Sequence, residues 1–120
     1  MKRKLTTVLA GAVAATMMMG MAVSADEIAV MVPSADHGWT GAVLSYAQEK
    51  VDEINDEGTY SAKLYAATDV ENQIQQVDDL LANTDGLSGI VILPYDNGLQ
   101  STLEKIAAAD IPFVQFDRCI

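Results

Sequence analysis

A single cysteine stands among these 120 residues, Cys119, so the chain forms no internal disulfide. One histidine, His37, accompanies it, and one His with one Cys assembles no metal cluster without carboxylates. Basic residues are also scarce. Seven Lys and Arg face seventeen Asp and Glu, and a field of that sign repels phosphate backbones, so no nucleic-acid partner is expected. The motifs of common catalytic sites are missing too. No serine occupies a G-x-S-x-G elbow, and the PSADHG loop (33–38) lacks the G-x-G-x-x-G spacing of a phosphate-binding turn. Adjacent Asp36 and His37 do not supply the nucleophile, base and orienter of a covalent catalyst. A phospho-accepting domain would need an aspartate where the chain has Leu93-Pro94. No enzyme activity, metal or cofactor is therefore expected, and Cys119 reads as a small buried side chain beside a strand end.

What is present begins with a leader. Lys2, Arg3 and Lys4 precede an apolar run from Leu5 to Met21, and Val23-Ser24-Ala25 places small side chains at a cleavage position. Residues 1–25 are read as a cleavable signal peptide, with export to a bacterial periplasm. The run is short and rich in Gly, Ala and Thr for a membrane anchor, and no cysteine follows it to carry a lipid. Cleavage leaves four basic residues against seventeen acidic ones, a formal charge of −13.

The remainder repeats one pattern: apolar strand, polar turn, amphipathic helix. EIAVMV (27–32) is a strand entering a loop at Pro33-Ser34. Trp39, Val43, Tyr46, Ala47, Val51 and Ile54 then recur at helical spacing and are expected to face a sheet, up to the turn Asp56-Glu57-Gly58. A second strand, Tyr60 to Ala66, leads to Thr68-Asp69, either of which can cap a helix. Val70, Ile74, Val77, Leu80 and Leu81 mark that helix to about Asn83, with Gln73, Gln75, Gln76, Asp78 and Asp79 expected mostly on a solvated face. SGIVILP (88–94) reads as a central strand covered on both sides. A helix over 98–109 carries Leu99, Leu103 and Ile106 inward, and a last strand spans 112–116. Strands alternating with helices imply right-handed crossovers and a doubly wound, flavodoxin-like parallel α/β sheet, in strand order 2-1-3-4.

In such a sheet ligands bind beyond the carboxyl ends of the strands, which gathers the loops 33–39, 67–69, 94–97 and 117–118. Asp117 offers only acceptors and Arg118 only donors, a combination suited to a polyhydroxylated ligand. Trp39 can lay its ring on the apolar side of a sugar, and His37 can donate or accept to a hydroxyl. Each also has a plainer reading. Asp117-Arg118 fits an ordinary surface charge pair, Trp39 the start of a core stripe, and His37 a loop residue contacting backbone or water.

The stretches IAVMVPSADHGWTGAV, DVENQIQQVDDLLA and GIVILPYDNGLQSTLEKIAAADIPFVQFDR together resemble the N-terminal part of the type I periplasmic sugar-binding proteins, the ribose- and galactose-type receptors of ABC importers. The resemblance implies that Asp117 and Arg118 contact sugar hydroxyls, that His37 stands where an asparagine often reaches the ligand, and that Trp39 stacks on the sugar. Thr40 departs from relatives that often place a second aromatic there. Tyr95, Asp96 and Asp69 lie on the same rim with less weight. Implied partners are a monosaccharide ligand and an ABC permease, with a chemoreceptor as a further candidate.

Members of that family have two lobes that close on the ligand, so residues 26–120 are expected to be an incomplete N-terminal lobe. Its last strand would lie at an open edge, with marginal stability, a tendency to associate, and weak or no binding by itself. Two other readings use the same fold: the sensing core of a sugar-responsive repressor, disfavoured by the leader and the acidic body, and a small secreted flavodoxin-like enzyme, which would need an activity dependent on His37. Exported protein is expected to begin at Asp26. Intact mass of the secreted product reads this directly, and a mass retaining residues 1–25 would contradict it.

Overall fold

Among the described residues four β-strands form one sheet, all parallel, with the first in the chain flanked by the second and the third and the fourth beside the third, as the alternating pattern requires. The structure, a computed structural model, describes residues 26–120; the expected signal peptide lies outside the described residues. The elements run β1 (Glu27–Pro33), α1 (Gly38–Glu57), β2 (Ser61–Ala67), α2 (Val70–Ala82), β3 (Leu87–Ile92), a 3-10 turn (Asn97–Leu99), α3 (Gln100–Ala108) and β4 (Phe113–Gln115).

Alternation along β1 decides what each face of the sheet carries. Ala29 and Met31 point to one face, where they join Ile90 and Ile92 of β3, Val77 of α2, and Leu103 and Ile106 of α3 in a buried cluster. Met31, Ile90, Ile92 and Ile106 are almost wholly removed from solvent, and burial of each such side chain contributes about 1.5–3 kcal/mol. Ile28 and Val30 point to the opposite face, toward α1.

The helices stop and start on local chemistry. Gly58 ends α1 at φ 76°, and its N–H donates to Ile54 O at 3.3 Å; glycine takes this left-handed position without a Cβ penalty. Asp69 caps α2 by accepting from Asn72 N at 2.7 Å. At the free edge of β2, the Asn55 side chain reaches across from α1. Its amide donates to Ala62 O at 3.0 Å and accepts from Ala62 N at 2.7 Å, standing in for a neighbouring strand.

Three expectations are corrected here. The α1 stripe was expected to face the sheet throughout, but only Val51 is buried, while Trp39 is 57% and Tyr46 71% exposed. The helix packs mainly over β1 and β2, so its outer stripe overhangs an uncovered part of the sheet. For the same reason β3 is not covered on both sides. Val91 and Phe116 line an open apolar groove beside α1, and Val114 is 61% exposed. Cys119 is exposed, not buried, because the chain leaves the sheet after Phe116, whose N–H makes a bond to Ile92 O at 3.1 Å.

Tyr65 of β2 donates to Glu27 Oε1 of β1 at 2.7 Å. Burial first, and this hydrogen bond second, push its phenol well above the ordinary value of 10.0. The fold therefore holds the phenol proton more tightly than the unfolded chain does. That contribution is fully present below pH 10.0 and is lost as the pH climbs toward the raised folded value. Urea unfolding at stepped alkaline pH should show a steeper fall in stability for the natural chain than for Tyr65→Phe; equal slopes would contradict this assignment.

Candidate functional site

Parallel pairing brings the carboxyl ends of all four strands to one rim. Hydrogen bonds continue the ladder past the strands: Ser34 N donates to Ala67 O at 2.7 Å, and Leu93 N to Met31 O at 2.9 Å. The loops that follow therefore start from rigidly paired backbone. Between them lies a cavity of about 220 Å³ lined by Pro33, Ser34, Ala35, Thr40, Leu93, Tyr95 and Arg118.

Arg118 is the charged group of this cavity. Its Nη1 donates to Pro94 O at 3.1 Å and also to Tyr95 O, so the loop after β3 holds the guanidinium. Tyr95 in turn donates through its hydroxyl to Thr68 O at 3.2 Å, and Thr68 N donates to Asn72 Oδ1 at 3.0 Å. Three loops are thereby linked through side chains.

Asp117 is exposed at the same strand end and has φ 62°. The Arg118 N–H donates to Phe116 O at 2.7 Å across it. This is the rarer, strained form of the three-residue turn, with a non-glycine residue at its centre. Aspartate tolerates such backbone better than most residues. The turn swings Arg118 away from the strand direction and toward the carbonyls of residues 94 and 95. Strain of this kind concentrates at functional sites, and no sequence signal announced it.

His37 and Trp39 lie in the loop and first turn after β1, outside the cavity lining. His37 precedes α1 in extended backbone and makes no capping bond from its side chain; its Nδ1 hydrogen-bonds the Asp36 carboxylate. Gly38 takes φ 67° to admit the turn into the helix. Trp39 is largely exposed, which sets aside its reading as a core residue. Thr40, noted earlier only as a departure from relatives, lines the cavity. Asp96 caps the 3-10 turn by accepting from Gly98 N at 2.7 Å.

The solvated face expected for the second helix holds only in part. Gln75 is exposed and bonds Asp79 at 2.8 Å, and Asp78 pairs with Lys105 of α3 at 3.0 Å. Gln73 is fully buried, which corrects the expectation. The spacing of Val70, Gln73, Val77 and Leu80 at steps of three and four was a usable signal, since it puts Gln73 on the inward stripe.

Larger recesses lie elsewhere and are chemically different. The groove beside α1 has a volume of about 580 Å³ and an apolar lining that includes Ile28, Val30, Val43, Ala47, Val91 and Phe116, with Lys50 at its margin. It offers few polar groups to orient a ligand. Among the described residues no group of three or more His, Cys, Asp or Glu side chains could hold a metal ion, and no helix is long and apolar enough to cross a membrane.

A flavodoxin-like parallel sheet with a small polar cavity at its carboxyl rim is the arrangement in which open α/β domains bind ligands. A comparison with protein-family profiles matches residues 28–119 to the periplasmic binding protein domain. The chain belongs to this family, of type I architecture, whose members are extracytoplasmic solute-binding domains. A search of curated proteins finds no match.

Relief of the turn at Asp117 is testable. Asp117→Gly should leave stability unchanged or raise it, while Asp117→Val should cost about 1–2 kcal/mol, the penalty of left-handed backbone for a branched side chain. Urea midpoints at constant slope measure both, and a Val variant as stable as the Gly variant would refute the strained turn.

Proposed function

We propose that this chain is the ligand-gripping portion of an extracytoplasmic binding protein that captures a monosaccharide for an ABC-type importer and performs no chemistry on it. The observation that carries the reading is Arg118: a guanidinium anchored by the backbone carbonyls of Pro94 and Tyr95, lining an open polar cavity at the sheet's carboxyl rim. An anchored fork of donors suits ring and hydroxyl oxygens. Asp117, its exposed neighbour, accepts from hydroxyls, Trp39 supplies a stacking face, and His37 adds a polar contact at the rim.

The cavity size supports capture between two surfaces. At about 220 Å³ it is smaller than the ~300–1,000 Å³ of ordinary ligand pockets, so these residues form one wall. A second surface closing over the sugar completes the site, and affinity depends on that closure. The permease then reads the closed form, with a chemoreceptor as a further candidate. Residues 1–25, removed on export, give the periplasmic location.

The experiment is a titration of the secreted product of the native gene with D-ribose, D-galactose and other pentoses and hexoses, followed by Trp39 fluorescence and calorimetry. One sugar should saturate the signal, and Arg118→Ala should weaken its binding by about ten- to a hundredfold, the range for hydrogen bonds to a charged group. Saturable binding of an amino acid in place of any sugar, or an unaffected Arg118→Ala variant, would overturn the reading. The segment 26–120 by itself should bind weakly or not at all.

A further inference from the structure

Gln73 presents a polar side chain where α2 could have used leucine or methionine. None of it is exposed, and a buried amide is costly unless both ends find partners. Both do, on the same loop: Nε2 donates to Leu93 O at 3.0 Å and Oε1 accepts from Tyr95 N at 2.7 Å. The two bonds bracket Pro94, which has no N–H of its own to give. The carbonyls of Pro94 and Tyr95, fixed in this way, are the ones that hold Arg118 Nη1. Position 73 is itself steady, because its N–H donates to Asp69 O at 3.1 Å in the capped first turn of α2.

We propose that Gln73 is the positioning residue of the site: it clamps the 93–95 backbone from beneath, so that the loop presents two carbonyls which orient the Arg118 guanidinium over the cavity. Gln73 touches no ligand and acts through Arg118. With Nη1 committed to the loop, Nε and Nη2 remain as the donors offered to a ligand, in a fixed direction. The importance of this for binding rests on the reading of Arg118 given above; the clamp itself requires no ligand.

The test is NMR on the isotopically labelled chain without ligand. In the natural protein the Tyr95 amide should be protected from hydrogen exchange, and the Arg118 Nη protons should give resolved, slowly rotating signals. Gln73→Met keeps the volume and removes both bonds. It should lower Tyr95 protection at least about fivefold, the loss expected from one hydrogen bond, and collapse the Arg118 Nη signals, while amides in the middle of α2 such as Val77 keep their protection. Unchanged Tyr95 and Arg118 signals, or an equal loss at every amide, would overturn the proposal.

Arg118→Ala supplies a second arm at an exposed position, whatever Gln73→Met does to folding. Tyr95 protection should survive it if Gln73 holds the loop; its loss would show that Arg118 holds the loop instead, and would sink the clamp. Because these signals need no sugar, failure of all monosaccharides to bind would overturn the functional reading alone, and intact Arg118 signals in Gln73→Met would overturn the clamp alone.

Discussion

Parallel pairing around β1 is the constraint on which the rest depends. With β2 on one side and β3 on the other, every helix must carry the chain back across the sheet before the next strand begins. All strands consequently finish at the same rim, and loops distant in sequence meet there. Arg118 reaches the carbonyl of Pro94, and Tyr95 reaches that of Thr68, only because the strands preceding them run in the same direction.

The two faces of the sheet have different roles. One is closed by α2 and α3 over the buried cluster around Met31, Ile90, Ile92 and Ile106, and this face carries most of the packing that keeps the rim rigid. The other is covered by α1 mainly over β1 and β2, which leaves Val91, Val114 and Phe116 accessible. Rigidity of the site therefore comes from the closed side. It is from that side that the Gln73 amide reaches the loop after β3.

Within the site, geometry is set less by the charged residues than by backbone. Arg118 is aimed by a left-handed turn at Asp117 and received by two carbonyls. Neither depends on a partner carboxylate, and so the guanidinium is held without neutralising it. Among the described residues no carboxylate pairs with it, so its charge and remaining donors stay available to a ligand, as the reading proposed above requires.

Much of the fold was legible in the sequence. The strands, the three helices and the order 2-1-3-4 followed from hydrophobic period and turn chemistry, both of which are local and act wherever they occur. The rim position of residues 117 and 118 followed from topology, and Thr68-Asp69 announced a cap, which the structure assigns to Asp69. Burial was read less well. Tyr46 and Trp39 match the helical stripe yet stand exposed, because a stripe shows which way a side chain points and not whether anything lies opposite it. Gln73 erred the other way: polarity suggested solvent, while its partners, twenty and more residues ahead, were supplied by packing. The sequence by itself determined the strands, the helices and their order, and hence which loops meet at the carboxyl rim. Only the tertiary structure decided that Gln73 bonds the loop after β3 and that Arg118 is held by carbonyls, because both depend on contacts between segments that local pattern does not encode.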